Sequence, residues 1–525
     1  MSVLQITGLS LTIAGRPVLR DVSLDIGAGE IVALTGESGS GKSMTAFSVM
    51  QLLPEGAAPS GHIELDEIDI LQADEATLCS LRGQRMGMVF QEPMTALNPV
   101  QTIGAQVAEV IRLHSNATRG EAQQQMQEVL IRVGLTPDQV PPSRYPHELS
   151  GGQRQRVVIA MAVVMRPRLL IADEPTTALD VTTQAQILDL LQQLVTEDGM
   201  GLMIITHDLA VVSQLADRIV VMRHGEVVET GPAAQVLAHP QHPYTQMLRE
   251  AAAHQVDLPQ AEATEPLLVV DKAVRDYPAP ARMFGRAAPK RAVDHVSFTL
   301  ERGERLGLVG ESGSGKSTLT RAILGLEPLQ AGRIEIDGRN VADNDPTTRA
   351  KVQVVFQDPY GSFNPRHRVA RLITEPFHLL PDAPTGAARS ALVGEMLESV
   401  GLSATDADKY IHEFSGGQRQ RIAIARALIT RPDLILLDEA VSALDVSVRA
   451  QILDLLADLC RDSGLTYLFV SHDLAVVREV TDRVLVMKSG QIVEQGVTEQ
   501  VFTVPDHPYT QALLAASPSL PEAVA

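Results

Sequence analysis

Two glycine-rich strings that end in a lysine and a hydroxyl residue, Gly36-Glu37-Ser38-Gly39-Ser40-Gly41-Lys42-Ser43 and Gly310-Glu311-Ser312-Gly313-Ser314-Gly315-Lys316-Ser317, have the make-up of a phosphate cradle. Glycine permits a tight loop whose backbone N–H groups surround phosphate oxygens, and a helix that follows adds its positive N-terminus. In such a loop Lys42 and Lys316 reach the β- and γ-phosphates. Ser43 and Ser317 offer hydroxyls to Mg²⁺, and Thr318 follows on the second loop. A chance Gly/Ser turn explains one such string. It does not explain two, each placed after an apolar strand-like run, Glu30 to Thr35 and Arg305 to Val309.

Further polar groups recur at matched distances. Two apolar runs, LLIADEP from Leu169 and LILLDEA from Leu434, end in the acid pairs Asp173-Glu174 and Asp438-Glu439. That placement puts the acids at the carboxyl edge of a sheet, facing the glycine loops. Asp173 and Asp438 suit Mg²⁺ coordination through water, whereas Glu174 and Glu439 suit a general base acting on an attacking water. His207 and His472 follow the apolar runs Leu202 to Ile205 and Leu465 to Val470, and their duplication at fixed spacing from the acids favours contact with a γ-phosphate. Gln91 and Gln357, in VFQEP and VFQDP, supply amides for Mg²⁺ or the attacking water. Ser150-Gly151-Gly152-Gln153 and Ser415-Gly416-Gly417-Gln418 precede helices that begin QRQR, forming a second kind of anion-binding N-terminus.

Because all of these strings occur twice in one order, the chain is a tandem duplication. The first copy carries about nine extra residues between its lysine and its SGGQ string, which the Pro/Gly/Ala stretch from Leu53 to Gly61 is expected to hold. Residues 1–250 and 267–525 are read as two α/β domains, and 251–266, rich in Ala, Pro and acids, as the linker. Alternating strand-like and helical runs indicate βα units on a mostly parallel sheet. With 525 residues, 45% of them apolar, there is material for two large cores. The longest apolar run, Val157 to Met165, falls well short of the ~20 residues of a spanning helix. A net charge of −20 argues against a surface that neutralises nucleic-acid phosphates. Cys79 and Cys460 are far apart with no CxxC spacing, which argues against a disulfide scaffold or a cysteine-ligated metal, and both are read as buried or inert thiols. The first basic residue is Arg16, after an alternating start, so a strand rather than a signal peptide is expected, with a cytoplasmic address.

Taken in order, the P-loop, glutamine, SGGQ, acid pair, ALD (Ala178 to Asp180 and Ala443 to Asp445) and THD or SHD strings resemble the ATP-binding domains of ABC proteins over nearly the whole chain. The resemblance implies two tandem P-loop NTPase domains, each with a helical SGGQ subdomain. It further implies ATP and Mg²⁺ as ligands and intramolecular head-to-tail pairing of the domains. One site would then join Gly36 to Ser43, Gln91, Asp173, Glu174 and His207 to Ser415 to Gln418, and the other would join Gly310 to Ser317, Gln357, Asp438, Glu439 and His472 to Ser150 to Gln153. Both keep their acids, so both are expected to hydrolyse ATP. Phe414 for leucine and Ala440 for proline depart from the family's wording away from the reacting atoms. The family commonly stacks adenine on an aromatic residue upstream of the P-loop. Residues 1–42 hold no Phe, Tyr or Trp, which leaves Ile13 for aliphatic packing, whereas the second half has Tyr277 and Phe284.

The strings FQEPMTALNP, IADEPTTALDV, QAQIL and the repeated HPYT (His242 to Thr245, His507 to Thr510) resemble dipeptide, oligopeptide and nickel importer ATPases. Residue chemistry gives HPYT no role beyond a proline-initiated helix cap. The cysteine cluster of some relatives is missing, so no iron–sulfur site is expected. The resemblance implies two integral membrane permease subunits, met near Thr95 to Pro99 and Gly361 to Pro365, and indirectly a periplasmic or extracellular solute-binding protein. It places the chain peripherally on the cytoplasmic face of the inner membrane, without nucleic-acid partners. A soluble twin-domain ABC ATPase on ribosomes or DNA is the rival, opposed by the missing basic linker, zinc-type cysteines and coiled-coil insertion. A fused sugar-importer ATPase is the other, opposed by two intact sites. The cargo, whether peptide, glutathione-like compound, peptide antibiotic, nickel or metal chelate, touches other subunits in this family.

Overall fold

The apolar runs beside the glycine loops form strands Ile31–Thr35 and Arg305–Val309, in each of which all five residues are buried. Burial on both faces is what a parallel sheet covered by helices requires. A computed structural model describes residues 2–177, 179–260, 264–278, 289–358, 361–442 and 444–518. In the first half the six-stranded sheet runs Glu226–Pro232, Arg218–Arg223, Ile31–Thr35, Gly201–Ile205, Leu169–Asp173, Met86–Val89. Every neighbouring pair is parallel except the first. The second half repeats this order with Gln491–Val497, Arg483–Lys488, Arg305–Val309, Tyr467–Ser471, Leu434–Asp438 and Val352–Val355. The strand that leads to the histidine therefore lies between the P-loop strand and the acid strand, and parallel direction brings all three carboxyl ends to one edge.

Each half also carries a four-stranded antiparallel sheet, built in the first half from Arg16–Gly27, Ser2–Ile13, Ala57–Leu65 and Ile68–Asp69. The helix after the first P-loop, Lys42–Met50, is packed between the two sheets, where Ala46, Val49 and Met50 join Leu4, Ile6, Val32 and Leu34 in one core. The SGGQ helix Gly151–Val163 sits on the opposite face of the parallel sheet and buries Val157 to Ala160 with Val107, Ile111 and Leu130. This satisfies the expected fold class, two α/β domains each with a helical SGGQ subdomain.

Several local expectations change. Cys79 lies exposed on the helix Glu75–Leu81 and only Cys460 is buried, because the amphipathic face of that short helix turns Leu78 and Leu81 inward instead. Gly61 and Gly332 occupy equivalent turns, so three of the extra residues of the first half precede Gly61. The larger share lies between the strands Ile68–Asp69 and Met86–Val89, around a helix of seven residues where the second half has one of five. The last helix of the first half, Pro243–Ala252, and the first strand of the second, Pro266–Tyr277, bound the connecting segment.

That segment is tied down by charge. Arg305, with its side chain 3% exposed, pairs with Asp482 at 2.6 Å and donates to the Pro259 carbonyl at 2.7 Å. Burial opposes the guanidinium charge, and the Asp482 carboxylate outweighs that opposition, holding Arg305 above its ordinary pKa. In the first half Ile31 stands at the matching position, and its N–H alone meets Asp217, at 2.8 Å. Asp482→Ala is expected to cost toward the low end of about 3–5 kcal/mol, since a buried guanidinium loses its partner while Asp482 itself is partly exposed. Asp217→Ala removes one hydrogen bond, worth about 0.5–1.5 kcal/mol. Urea unfolding of the two variants measures the difference.

Between the halves lies a cleft of about 630 Å³ that His207, His472, His254, Arg449 and Glu479 line. Burial pushes the Glu479 carboxyl up to about 7, with Arg449 and His254 opposing and Asp473 and Asp454 reinforcing the shift. From about pH 4.3, the ordinary glutamate value, up to about 7 the native protein holds a proton that the unfolded chain releases, so this group's contribution to stability falls as pH rises. The first half has Gln214 at the matching position. Glu479→Gln is expected to raise the thermal midpoint above pH 7, with the gain shrinking toward pH 5; equal midpoints for both proteins at pH 8.5 would contradict this.

Candidate functional site

The glycine loops close as their composition demands. A Cβ on Gly36 would lie 2.2 Å from the Met222 carbonyl oxygen and one on Gly310 2.1 Å from that of Met487, both at positive φ, so no other residue fits. The helices then start at Lys42 and Lys316. Lys42 Nζ donates to the carbonyls of Gly36 at 2.8 Å and Glu37 at 2.9 Å, and Lys316 Nζ to Gly310 at 2.6 Å and Glu311 at 3.0 Å. Burial draws both ammonium groups below their ordinary pKa. The carboxylates of Glu174 and Asp173 resist this at Lys42, and Glu439 and Asp180 at Lys316.

At the same edge each acid pair splits into two environments. Burial pushes the Asp173 and Asp438 carboxyls up, the latter to about 6. The Ser43 side chain lies beside Asp173 and favours its charge, and Ser317, Gln357 and Asp438 line one cleft of about 640 Å³. These donors are oxygens of the kind that hold Mg²⁺, and the polar residues fit that ion. Glu174 and Glu439 instead take positive φ, 46° and 51°, a strained backbone that costs about 1–3 kcal/mol and recurs at functional sites. Their N–H groups continue the sheet to Ile205 and Val470, at 2.9 and 2.8 Å, while the backbone bend turns the side chain out of the strand. His207 Nδ1 lies 3.1 Å from Glu174 and His472 Nδ1 3.3 Å from Glu439. Burial disfavours both carboxylates, yet the histidine bond and charge prevail and hold them below the usual glutamate range. Gln91 Nε2 donates to Glu174 at 2.8 Å, so its amide meets the glutamate rather than the Ser43–Asp173 pair.

Across the boundary the halves meet reciprocally. The Ser447 hydroxyl donates to the Glu37 carboxylate at 2.6 Å, and the Thr182 hydroxyl to Glu311 at 2.8 Å. Burial works against the Asp180 charge, and the bond from the Thr183 N–H at 3.0 Å leads those that overcome it, with the Ser312 N–H of the other half adding to them. Ser150, Gly151 and Gly152 line a cleft of about 320 Å³ with Glu311 and Ser312, which sets the first SGGQ against the second P-loop. A Cβ on Gly152 would meet Thr183 at 2.3 Å and one on Gly417 would meet Val448 at 2.2 Å, so each SGGQ turn packs on the helix whose first turn touches the other half's P-loop. Ser150 and Ser415 cap their helices through the N–H groups of Gln153 and Gln418.

Sequence reasoning missed Thr182 and Ser447, which carry no motif, though both stand two residues after the ALD aspartates Asp180 and Asp445. Ala178, Ala443 and Phe284 lie outside the described residues. Tyr277 ends its strand with the ring 5.0 Å from the Arg275 guanidinium and its hydroxyl 3.4 Å from Thr318, while Ile13 packs partly buried on the inter-sheet core.

Among known proteins, the ABC transporter family matches residues 19–177 and 293–442, and the oligopeptide/dipeptide transporter C-terminal region matches 228–263 and 493–524. The peptidoglycan transport ATP-binding protein YejF of Agrobacterium fabrum is 48% identical over 504 residues, covering 94% of this chain and 92% of its own. The glutathione import ATP-binding protein GsiA of Escherichia coli K12 is 47% identical over 541 residues, covering 95% and 86%. With the family matching once in each half, over the P-loop, the SGGQ turn and the acid pair, the chain belongs to the ABC transporter family as an ATP-hydrolysing protein with two fused ATP-binding domains.

Proposed function

We propose that this chain powers an importer of peptides or related small solutes, hydrolysing ATP at two composite sites each drawn from both halves. The observation that carries it is the reciprocal approach of each P-loop to the other half, through Glu37 with Ser447 and Glu311 with Thr182. The class of cargo rests on the oligopeptide/dipeptide C-terminal region and on relatives named for glutathione and peptidoglycan transport. Among the described residues no helix is long and apolar enough to cross a membrane. The reading assigns passage of solute to two separate permease subunits, with a solute-binding protein delivering to them. The loops Thr95 to Pro99 and Gly361 to Pro365 are the assigned contacts with those subunits, and the chain sits peripherally on the membrane's cytoplasmic face.

In the reaction the P-loop N–H groups and Lys42 or Lys316 hold the triphosphate, and the opposite SGGQ turn covers its γ end. Ser43 and Asp173, with the Gln91 carbonyl oxygen once its amide leaves Glu174, or Ser317, Asp438 and Gln357, would hold Mg²⁺, which would neutralise charge on the phosphate oxygens. Glu174 or Glu439 takes a proton from the water that attacks the γ-phosphorus; the bond to the bridging oxygen breaks, and ADP and phosphate result. His207 and His472 fix these carboxylates through Nδ1 and leave Nε2 free to face the γ-phosphate. Tyr277 is assigned to the adenine at the second P-loop and Ile13 to that at the first. Closure over ATP and reopening after hydrolysis move the attached permeases.

Replacing one base, by Glu174→Gln or Glu439→Gln, is expected to lower turnover at that site by about 10²–10⁴. Full ATPase activity in the double variant, measured as phosphate release, would overturn the assignment of the base.

A further inference from the structure

The repeated HPYT string has a physical role in both halves. His242 Nδ1 accepts the Tyr244 N–H at 3.1 Å and Pro243 opens the helix Pro243–Ala252, while Glu229 accepts the His242 N–H at 3.1 Å. In the second half His507 and Glu494 repeat these bonds at 3.0 and 3.1 Å. A helix start fixed in this way directs the tyrosine inward, and Tyr244 and Tyr509 are 2% and 6% exposed. One ring lies 4.8 Å from the Arg223 guanidinium and the other 4.5 Å from the Lys488 ammonium, cation–π contacts that anchor it further.

The tyrosine hydroxyls end on the P-loops. Tyr244 Oη accepts the Glu37 N–H at 2.9 Å, and Tyr509 Oη accepts the Glu311 N–H at 3.0 Å. A loop shaped to aim its N–H groups at phosphate leaves some of them facing elsewhere, and a buried donor without a partner is costly. The same residue sends its carboxylate to Ser447 or Thr182 of the other half and its carbonyl to the P-loop lysine. Each HPYT helix also packs on the other half, Pro243–Ala252 against Val446–Ser463 and Pro508–Ala516 against Val181–Asp198. The helix that receives the glutamate's carboxylate is thus the helix on which the tyrosine's own helix rests.

We propose that Tyr244 and Tyr509 are positioning residues for ATP: each hydroxyl holds its P-loop in the phosphate-binding shape from a helix seated on the opposite half. The proposal rests on the P-loops binding ATP. It makes the docked C-terminal helix part of the nucleotide site without contact with the nucleotide. Burial pushes both phenols up to about 12, so each hydroxyl meets the loop without a negative charge of its own.

Tyr244→Phe and Tyr509→Phe, singly and together in the full chain, remove one oxygen per half and keep the ring. Each is expected to weaken binding of a fluorescent ATP analogue at its own half about two- to tenfold and to raise the KM for ATP with kcat retained, as loss of one hydrogen bond predicts. Hydrogen exchange should quicken in the peptide containing Glu37 or Glu311, and not in the strands of the antiparallel sheets. The single variants carry the test should the double one fail to fold. Unchanged KM and analogue affinity in both single variants, or a fall in kcat alone, overturns the proposal. Wild-type protein that fails to bind the analogue would instead strike the ATP-binding reading on which it rests.

Discussion

The carboxylates of Glu37 and Glu311 each accept a hydroxyl from the first turn of a helix in the opposite half. Hydrogen bonds to charged groups are worth about 1.5–3 kcal/mol, more than those between neutral partners, and these two are partly buried and occur in a symmetric pair. They hold one half's P-loop against the other half's ALD cap. That cap supports the SGGQ turn through the close packing at Gly152 and Gly417. A triphosphate held by a single loop is open to water on its γ side. A second helix N-terminus brought over that side encloses the charge with N–H groups from both directions. On the proposed function, the two domains are two halves of each site.

Equality of the two sites extends only to the groups at the reacting edge. Lys42 and Lys316, the strained Glu174 and Glu439, and the histidines on those glutamates are placed alike. Their surroundings differ: Arg305 replaces Ile31 under the P-loop strand, and Arg449 and Glu479 replace Gln184 and Gln214 on the inter-half cleft. Burial raises both Asp173 and Asp438, the latter to about 6, and the Ser43 hydroxyl opposes the rise in the first half. The charged additions of the second half cluster where the connecting segment crosses, at Pro259 and His254. A duplicated chain with one linker meets that linker once, so only one half needs groups to receive it.

Much of the reacting edge was legible because each motif there is local: loop, strand end and helix cap are read from a few consecutive residues. The strands Arg305–Val309 and Leu169–Asp173 and the Ser150 and Ser415 caps lie where their strings put them. What could not be read depends on distance along the chain. Tyr244 meets Glu37 and Ser447 meets Glu37 across 207 and 410 positions, and nothing in the spacing of HPYT signals a partner so remote. The histidine at a strand end looked suited to phosphate, and only the bend at positive φ shows that the glutamate side chain comes to it first. Cys79, read as a buried or inert thiol, lies exposed, because a seven-residue helix buries one narrow face and Leu78 and Leu81 occupy it.

The composite nature of the sites is tested most directly by placing a negative charge in one SGGQ and asking which P-loop suffers. Ser150→Asp faces the second P-loop across the cleft that holds Glu311 and Ser312. With a photoreactive ATP analogue, and the halves separated by proteolysis between them, Ser150→Asp should reduce labelling of the half carrying Lys316 and spare the half carrying Lys42. Loss of labelling confined to the half carrying Lys42 would contradict the account.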